Sequence, residues 1–250
     1  MADIKKKYFA SDFHLGFPSK EESLVREKKI VAWLESIKHD ADEIYLLGDL
    51  FDFWYEYKWV VPRGFVRFLG KLTELTDAGI KVFITRGNHD LWYKDYLEKE
   101  VGAQIIQQPV IREWNGRQFF MHHGNALGKY DRGINFLDKI FNNKFLQFLF
   151  ERIHPEGAFS FAHKWSSHNR KVKVYESSNY LGDDKEWLLL YVKDKIKTEH
   201  YDYFIFGHRH LAIDSIIENG SHYVNLGNWI TLSTYGVWDG ETFSLMEFNP

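Results

Sequence analysis

The sequence predicts an α/β fold with one chemically loaded crevice. Three observations predict it. Short apolar runs alternate with stretches of helical spacing. Several of those runs stop at a glycine with Asp, Asn or His beside it. The 250 residues are 44% hydrophobic and 18% aromatic, ample for one large packed core.

The elements follow in order. A first strand, Lys7 to Ala10, runs into Ser11-Asp12-Phe13-His14. Residues 21–38 place Leu24, Val25, Ile30, Val31, Leu34 and Ile37 at helical spacing, which predicts an amphipathic helix. Glu43 to Leu47 is a second strand that halts at Gly48-Asp49. Residues 64–78 form a second helix, stopped by Gly79. Ile80 to Thr85 is a third strand, ending at Arg86-Gly87-Asn88-His89-Asp90. Gln104 to Arg112 and Gln118 to Met121 flank Asn115-Gly116, a hairpin signal. The second of these runs ends at His122-His123-Gly124-Asn125. Tyr203 to Phe206 ends at Gly207-His208-Arg209-His210. The tail carries short strands punctuated at Asn219-Gly220, Gly227-Asn228 and Asp239-Gly240.

Between residues 126 and 198 the texture changes. Residues 133–153 read as a helix or helix pair with a very wide apolar face, from Ile134 and Phe136 to Leu149 and Phe150, broken at Pro155 and Gly157. A polar, basic stretch follows, with His163, Lys164, Arg170, Lys171 and Lys173. Residues 183–197 return to helical spacing. The expectation is a helical lid, 126–198, inserted into a single domain spanning 1–250.

Composition narrows the chemistry. The absence of cysteine excludes thiolate zinc sites, iron–sulfur clusters, disulfide scaffolds and a cysteine nucleophile. With 32 Lys+Arg against 35 Asp+Glu, the net charge of -3 argues against a nucleic-acid partner. No apolar run reaches membrane-spanning length, and no signal peptide is visible, so a cytoplasmic protein is expected. Oligomeric state is open.

Loops at the carboxyl ends of α/β strands converge on one crevice. Five loops of this chain would therefore deliver Asp12 and His14, Asp49, Asn88 to Asp90, His122 and His123, and His208 and His210 to one place. Two cations about 3.5–4 Å apart need a shared anionic ligand, with imidazole and amide donors completing coordination. The mixed nitrogen and oxygen set suits Mn²⁺, Fe²⁺, Zn²⁺ or Co²⁺ better than Mg²⁺ or Ca²⁺.

The ordered set resembles the calcineurin-like metallophosphoesterases, whose pattern runs Asp-x-His, Gly-Asp, Gly-Asn-His-Asp/Glu, His, Gly-His-x-His. The resemblance implies a four-layered α/β/β/α sandwich. It implies one metal held by Asp12, His14, Asp49 and His210, and another by Asp49, Asn88, His123 and His208. Asp49 would bridge, and Mn²⁺ is favoured. His89 and Asp90 would be the catalytic residues, with His89 contacting the phosphoryl group and assisting the leaving oxygen, and Asp90 orienting His89 or capping the next helix. His122 would support the site rather than ligate.

Within that family the chain is most similar to the branch that splits the pyrophosphate of a nucleotide-linked lipid. Leu46-Leu47-Gly48-Asp49-Leu50-Phe51, with Phe53-Trp54 after it, and the apolar insertion carry this similarity. It implies an amphiphilic UDP-linked diacyl-sugar substrate and peripheral contact with the cytoplasmic face of the inner membrane. Asn88, His89, Lys164, Arg170 and Lys171 would bind its phosphates. The chain departs from that branch in having His89 where Arg is usual, and Asn125 where Asp is usual. The departure keeps a second substrate class open, a nucleotide or other small phosphodiester.

Overall fold

The computed structural model describes residues 5–127, 141, 143–159 and 179–249. Two sheets form the centre. In the first, β1 (Lys6–Ala10), β2 (Ala41–Leu47), β3 (Lys81–Thr85) and β4 (Gln104–Ile105) run parallel to one another. The second holds β5 (Val110–Trp114), β6 (Arg117–His122), β7 (Tyr203–Phe206), β8 (Ala212–Ile216) and β9 (His222–Leu226), in the order β5-β6-β7-β9-β8. Its central strands β6, β7 and β9 are parallel. The chain then returns to the first sheet, where β10 (Thr234–Trp238) pairs antiparallel with β1 and β11 (Phe243–Glu247) forms the edge.

Strand alternation builds four layers. Tyr8, Ala10, Ile44, Leu46, Val82 and Ile84 point away from the second sheet, into a core shared with α1 (Lys20–Ile37) and α2 (Val66–Asp77). The intervening Phe9, Tyr45, Leu47 and Phe83 meet Phe119, Met121, Ile205, Val224 and Leu226 between the sheets. Phe120, Phe204, Phe206 and Tyr223 face outward again, onto Leu188, Leu189 and Val192 of a later helix, Trp187–Lys195. The result is an α/β/β/α sandwich. All these parallel strands open their carboxyl ends toward the same side, and buried Tyr45 stacks on Phe9 and Phe83 at 5.5 and 4.8 Å to lock the central strands.

Caps fix the helix starts. Ser19 Oγ accepts from the Glu22 amide, capping the start of α1, and donates to the Glu22 carboxylate. At α2 the N-cap is Phe65, which has no side-chain acceptor. Buried Glu27 of α1 substitutes, accepting from the amides of Arg67 and Phe68.

Two expectations are corrected. The run 104–112 is two strands in different sheets, because Pro109 has no N–H and the chain crosses between sheets there. The helix expected over 183–197 is shorter, Trp187–Lys195, and its buried face packs on the second sheet as an outer layer of the sandwich. Two further helices are short. Here α3 is Tyr96–Lys99, α4 is Lys144–Phe150, and the outer helix Trp187–Lys195 is α5. The basic residues Lys164, Arg170 and Lys171, and the apolar Ile134 and Phe136, lie outside the described residues.

Candidate metal centre

The predicted residues Asp12, His14, Asp49, His89, His123, His208 and His210 converge at the carboxyl ends of β1, β2, β3, β6 and β7. Three overlapping groups have donor atoms within 4.8 Å of one another: Asp12, His14 and His210; His14, Asp49 and His89; Asp49, His123 and His208. His210 Nε2 lies 3.2 Å from Asp12 Oδ1 and 3.1 Å from His14 Nε2. Asp49 Oδ2 lies 3.7 Å from His14 Nε2 and 3.5 Å from His123 Nε2. Asn88 Oδ1 is 3.3 Å from His123 Nε2. Asp49 thus stands between the two halves of the cluster.

The backbone is bent to make this happen. Asp12, His14, Asp49, His208 and His210 all have positive φ, from 44° to 68°. Non-glycine residues rarely adopt that region, and such strain concentrates at functional sites. Close approach is the second device. A Cβ on Gly87 would stand 2.1 Å from Asp49 Oδ1 and 2.3 Å from the Asp49 amide nitrogen, so only glycine lets the β3 loop meet the β2 loop.

The donor set fits divalent cations. Asp12 Oδ1 is buried and faces the imidazole nitrogens of His14 and His210 at 3.6 and 3.2 Å. Burial alone would raise both carboxyls. For Asp12, hydrogen bonds from His14 and His210 outweigh it; for Asp49, the charges of His123 and His89 do. Both therefore remain anionic. Burial opposes charge on His123 too, but Asp49 prevails and pushes it up to about 9. That buried negative potential calls for positive charge at the cluster. His123 Nδ1 is 2.7 Å from the Leu47 carbonyl, which only a protonated Nδ1 can bond. With Nδ1 committed, Nε2 is the nitrogen that would give up its proton to a cation beside Asp49 and Asn88, the usual arrangement of a metal-binding imidazole. Burial holds His208 down to about 3, leaving it neutral and able to donate a lone pair.

Two neighbouring side chains, His89 and Asp90, also make contacts with the backbone. His89 Nδ1 sits 3.2 Å from the Asp52 carbonyl and so donates to it. Its amide also donates to Asp49 Oδ1 at 2.9 Å. Asp90 is fully buried, and its carboxylate accepts from the amides of Asp49, Leu50, Phe51 and Gly87 and from the Tyr93 hydroxyl. It therefore clasps the Asp49 loop to the Gly87 turn. Burial and the nearby Asp49 charge push Asp90 up to about 6, against those hydrogen bonds. His122 points to the other face of β6, accepts from the Gly124 amide, and is held neutral by burial.

Several supporting residues carry no motif and were missed by sequence reasoning. Buried Arg26 of α1 donates to the carbonyls of His14 and Phe17. Asn228 donates to the His210 carbonyl, and Asn225 to that of Gly207. Gln108 links the Arg86 carbonyl to the His123 amide. Only their position beside a motif loop could have signalled them.

Beside the crevice lies an aromatic seat for α4. Trp92 stands 5.0 Å from Phe150 and 5.6 Å from Phe141, and its indole N–H donates to the Phe141 carbonyl. Tyr55 is 4.9 Å from Phe150, and Phe53 is 5.5 Å from Phe159. The opposite side of this segment leaves Phe145, Phe148, Leu149 and Ile153 exposed. Among the described residues no helix is long and apolar enough to cross a membrane.

The overlapping groups of hard and borderline donors, linked through His14 and Asp49, constitute a dinuclear divalent-metal site. Such a centre on such a sandwich defines a metal-dependent hydrolase of phosphoester or pyrophosphate bonds. A family model described as calcineurin-like phosphoesterase matches residues 6–212, and the chain belongs to that family. A UDP-2,3-diacylglucosamine hydrolase of Porphyromonas gingivalis is 36% identical over 252 residues, covering 96% of each chain. One from Neisseria meningitidis is 27% identical over 90% of each chain. Among solved structures, an archaeal phosphodiesterase aligns over 97% of this chain and 99% of its own, with 16% identity and a TM-score of 0.48.

Proposed function

We propose that the protein hydrolyses the pyrophosphate bond of UDP-2,3-diacylglucosamine, giving UMP and 2,3-diacylglucosamine 1-phosphate. The observation that supports this most is the 36% identity to a UDP-2,3-diacylglucosamine hydrolase across 96% of both chains. An end-to-end match takes in the apolar insertion as well as the metal loops.

The seven metal residues Asp12, His14, Asp49, Asn88, His123, His208 and His210 hold two divalent ions, with Mn²⁺ favoured by the mixed donors. When bound, these ions supply a nucleophilic water and Lewis acidity toward the phosphate oxygens. The water oxygen joins one phosphorus, the bridging P–O bond breaks, and the leaving phosphate oxygen takes a proton. His89 is placed to provide it. Its Nδ1 is committed to the Asp52 carbonyl, so Nε2 carries a proton only in the imidazolium form. Asn88 and His89 contact the phosphates. Asp90 acts by holding the Asp49 loop. The insertion over residues 126–198 acts as the lid, and the packing of its Phe150 on Phe53, Tyr55 and Trp92 suits an apolar wall beside the crevice for acyl chains. The exposed Phe145, Phe148 and Leu149, with Arg152 stacked 4.5 Å over Phe148, suit peripheral contact with the cytoplasmic face of the inner membrane.

His89 favours one second reading. A shorter, titratable side chain in place of a fixed cation suits a less highly charged phosphodiester of a nucleotide. The test measures Mn²⁺-dependent UMP release from UDP-2,3-diacylglucosamine, beside a bis-aryl phosphodiester and single-stranded DNA. UMP release at least tenfold faster than diester cleavage is expected. Rapid diester cleavage without UMP would overturn the lipid assignment in favour of the second reading.

A further inference from the structure

We infer that Arg209 and Glu186 form a positioning pair through which the segment closing the insertion sets the geometry of the metal loop. The inference rests on the proposed hydrolase reading for its activity arm only. Arg209 lies between His208 and His210, both in strained left-handed backbone at φ 68° and 54°. A side chain between two ligands would ordinarily face solvent. Here the guanidinium is 7% exposed and grips a carboxylate that is 0% exposed.

The grip is two-pronged. Arg209 Nε donates to Glu186 Oε2 at 3.0 Å, and Nη2 donates to Glu186 Oε1 at 2.9 Å. Planar fork-to-fork pairing fixes orientation as well as distance. Nη2 also donates to the Asn179 carbonyl at 3.2 Å, while Glu186 Oε1 accepts from the Leu181 amide. One ion pair therefore gathers Asn179, Leu181 and Glu186 onto the loop that carries two metal ligands.

The neighbours of Glu186 continue the contact. Trp187 meets the His208 imidazole edge-on, with centroids 5.7 Å apart. A Cβ on Gly124 would meet Leu188 Cδ1 at 3.4 Å, beside His123. The start of α5 thus touches the loops of both histidine motifs. Such an ion pair is weak evidence for stability, because desolvation offsets its attraction. Its value lies in specifying one arrangement, which is what strained ligands require. Where the segment sits, His208 and His210 follow.

The test uses the full chain loaded with Mn²⁺ and compares Glu186→Gln and Arg209→Lys with the parent. Glu186→Gln keeps the shape and the acceptor for Leu181 while losing the charge. Arg209→Lys keeps the charge but replaces the fork with a single ammonium. Mn²⁺ titration by calorimetry, with no substrate present, reads the metal loop alone. Both variants should stay folded, bind Mn²⁺ at least tenfold more weakly, and lose at least tenfold in kcat toward a bis-aryl phosphodiester while KM changes less than threefold. Should Glu186→Gln fail to fold, Arg209→Lys reads the same quantities. Unchanged Mn²⁺ affinity and kcat in a folded variant would overturn the inference, as would a lower melting temperature with neither affected. Loss of the hydrolase reading itself would show in the parent, which would bind Mn²⁺ yet cleave nothing.

Discussion

Replacing Gly87 with alanine tests whether Asp49 is held where two metals would share it. Gly87 has no positive φ, so the backbone itself tolerates alanine, and the whole effect is contact. The new methyl would stand 2.1 Å from Asp49 Oδ1 and 2.3 Å from its amide nitrogen, against an ordinary contact of 3.4 Å or more. Asp49 must therefore retreat by more than about 1 Å. Rotation of its side chain cannot relieve this, because the backbone nitrogen is also in the way. Inserting a methyl where nothing yields costs about 1–3 kcal/mol. Metal–ligand distances tolerate only about 0.2 Å, and a misplacement of about 1 Å costs on the order of 100-fold in rate. Gly87→Ala should thus lower the urea midpoint of the metal-free protein and weaken Mn²⁺ binding. Phosphodiester turnover should fall on the order of 100-fold. Gly70→Ala is the internal control. Gly70 lies mid-helix in α2 with nothing within 4 Å of its new Cβ, so the same change should stabilise by about 0.5–1 kcal/mol and leave activity alone. A Gly87→Ala protein that keeps two tightly bound ions and full turnover would refute the placement of Asp49.

Three further outcomes follow from single contacts. His89→Ala should retain both ions by calorimetry yet lose on the order of 100-fold in kcat, since it removes a proton donor rather than a ligand; unchanged kcat would take His89 out of the reaction. Glu27→Ala should destabilise by about 2 kcal/mol in urea unfolding by stripping the start of α2 of its only observed side-chain acceptor, with activity unchanged under folding conditions. Trp92→Ala should raise KM for the diacyl substrate at least fivefold while leaving Mn²⁺ affinity and bis-aryl diester cleavage near normal, because Trp92 seats the segment carrying Phe141 and Phe150. Equal losses on both substrates would mean Trp92 shapes the metal centre instead.

The metal loops were legible in the sequence because each donor stands at a strand end, where residue type and position speak together. Tyr203 to Phe206 and the halt at Gly207 coincide with β7. The four layers were legible only through resemblance, since no run of alternation says which of two sheets a strand joins. The segment 104–112 shows this. Its apolar pattern is continuous, but Ile105 ends in one sheet and Val110 begins in the other. The supporting residues escaped for a different reason. Arg26 and Glu186 act through the backbone groups or charges of residues distant in sequence, and long-range pairing leaves no local signature. Asp90 illustrates the cost, because beside His89 it invites a catalytic role, whereas its oxygens hold the amides of Asp49, Leu50 and Phe51. The helical spacing of 183–197 does not say what the helix Trp187–Lys195 packs on; Phe120 and Phe204 lie beneath it.

The central claim is that one chain holds two divalent ions with Asp49 between them. Electron paramagnetic resonance of the protein titrated with Mn²⁺ tests this most directly. The structure predicts two ions per chain at saturation, with the spectrum of a magnetically coupled pair. Asp49→Ala should abolish that coupling. A single isolated-ion spectrum in the parent, or a coupled pair that survives in Asp49→Ala, would contradict it.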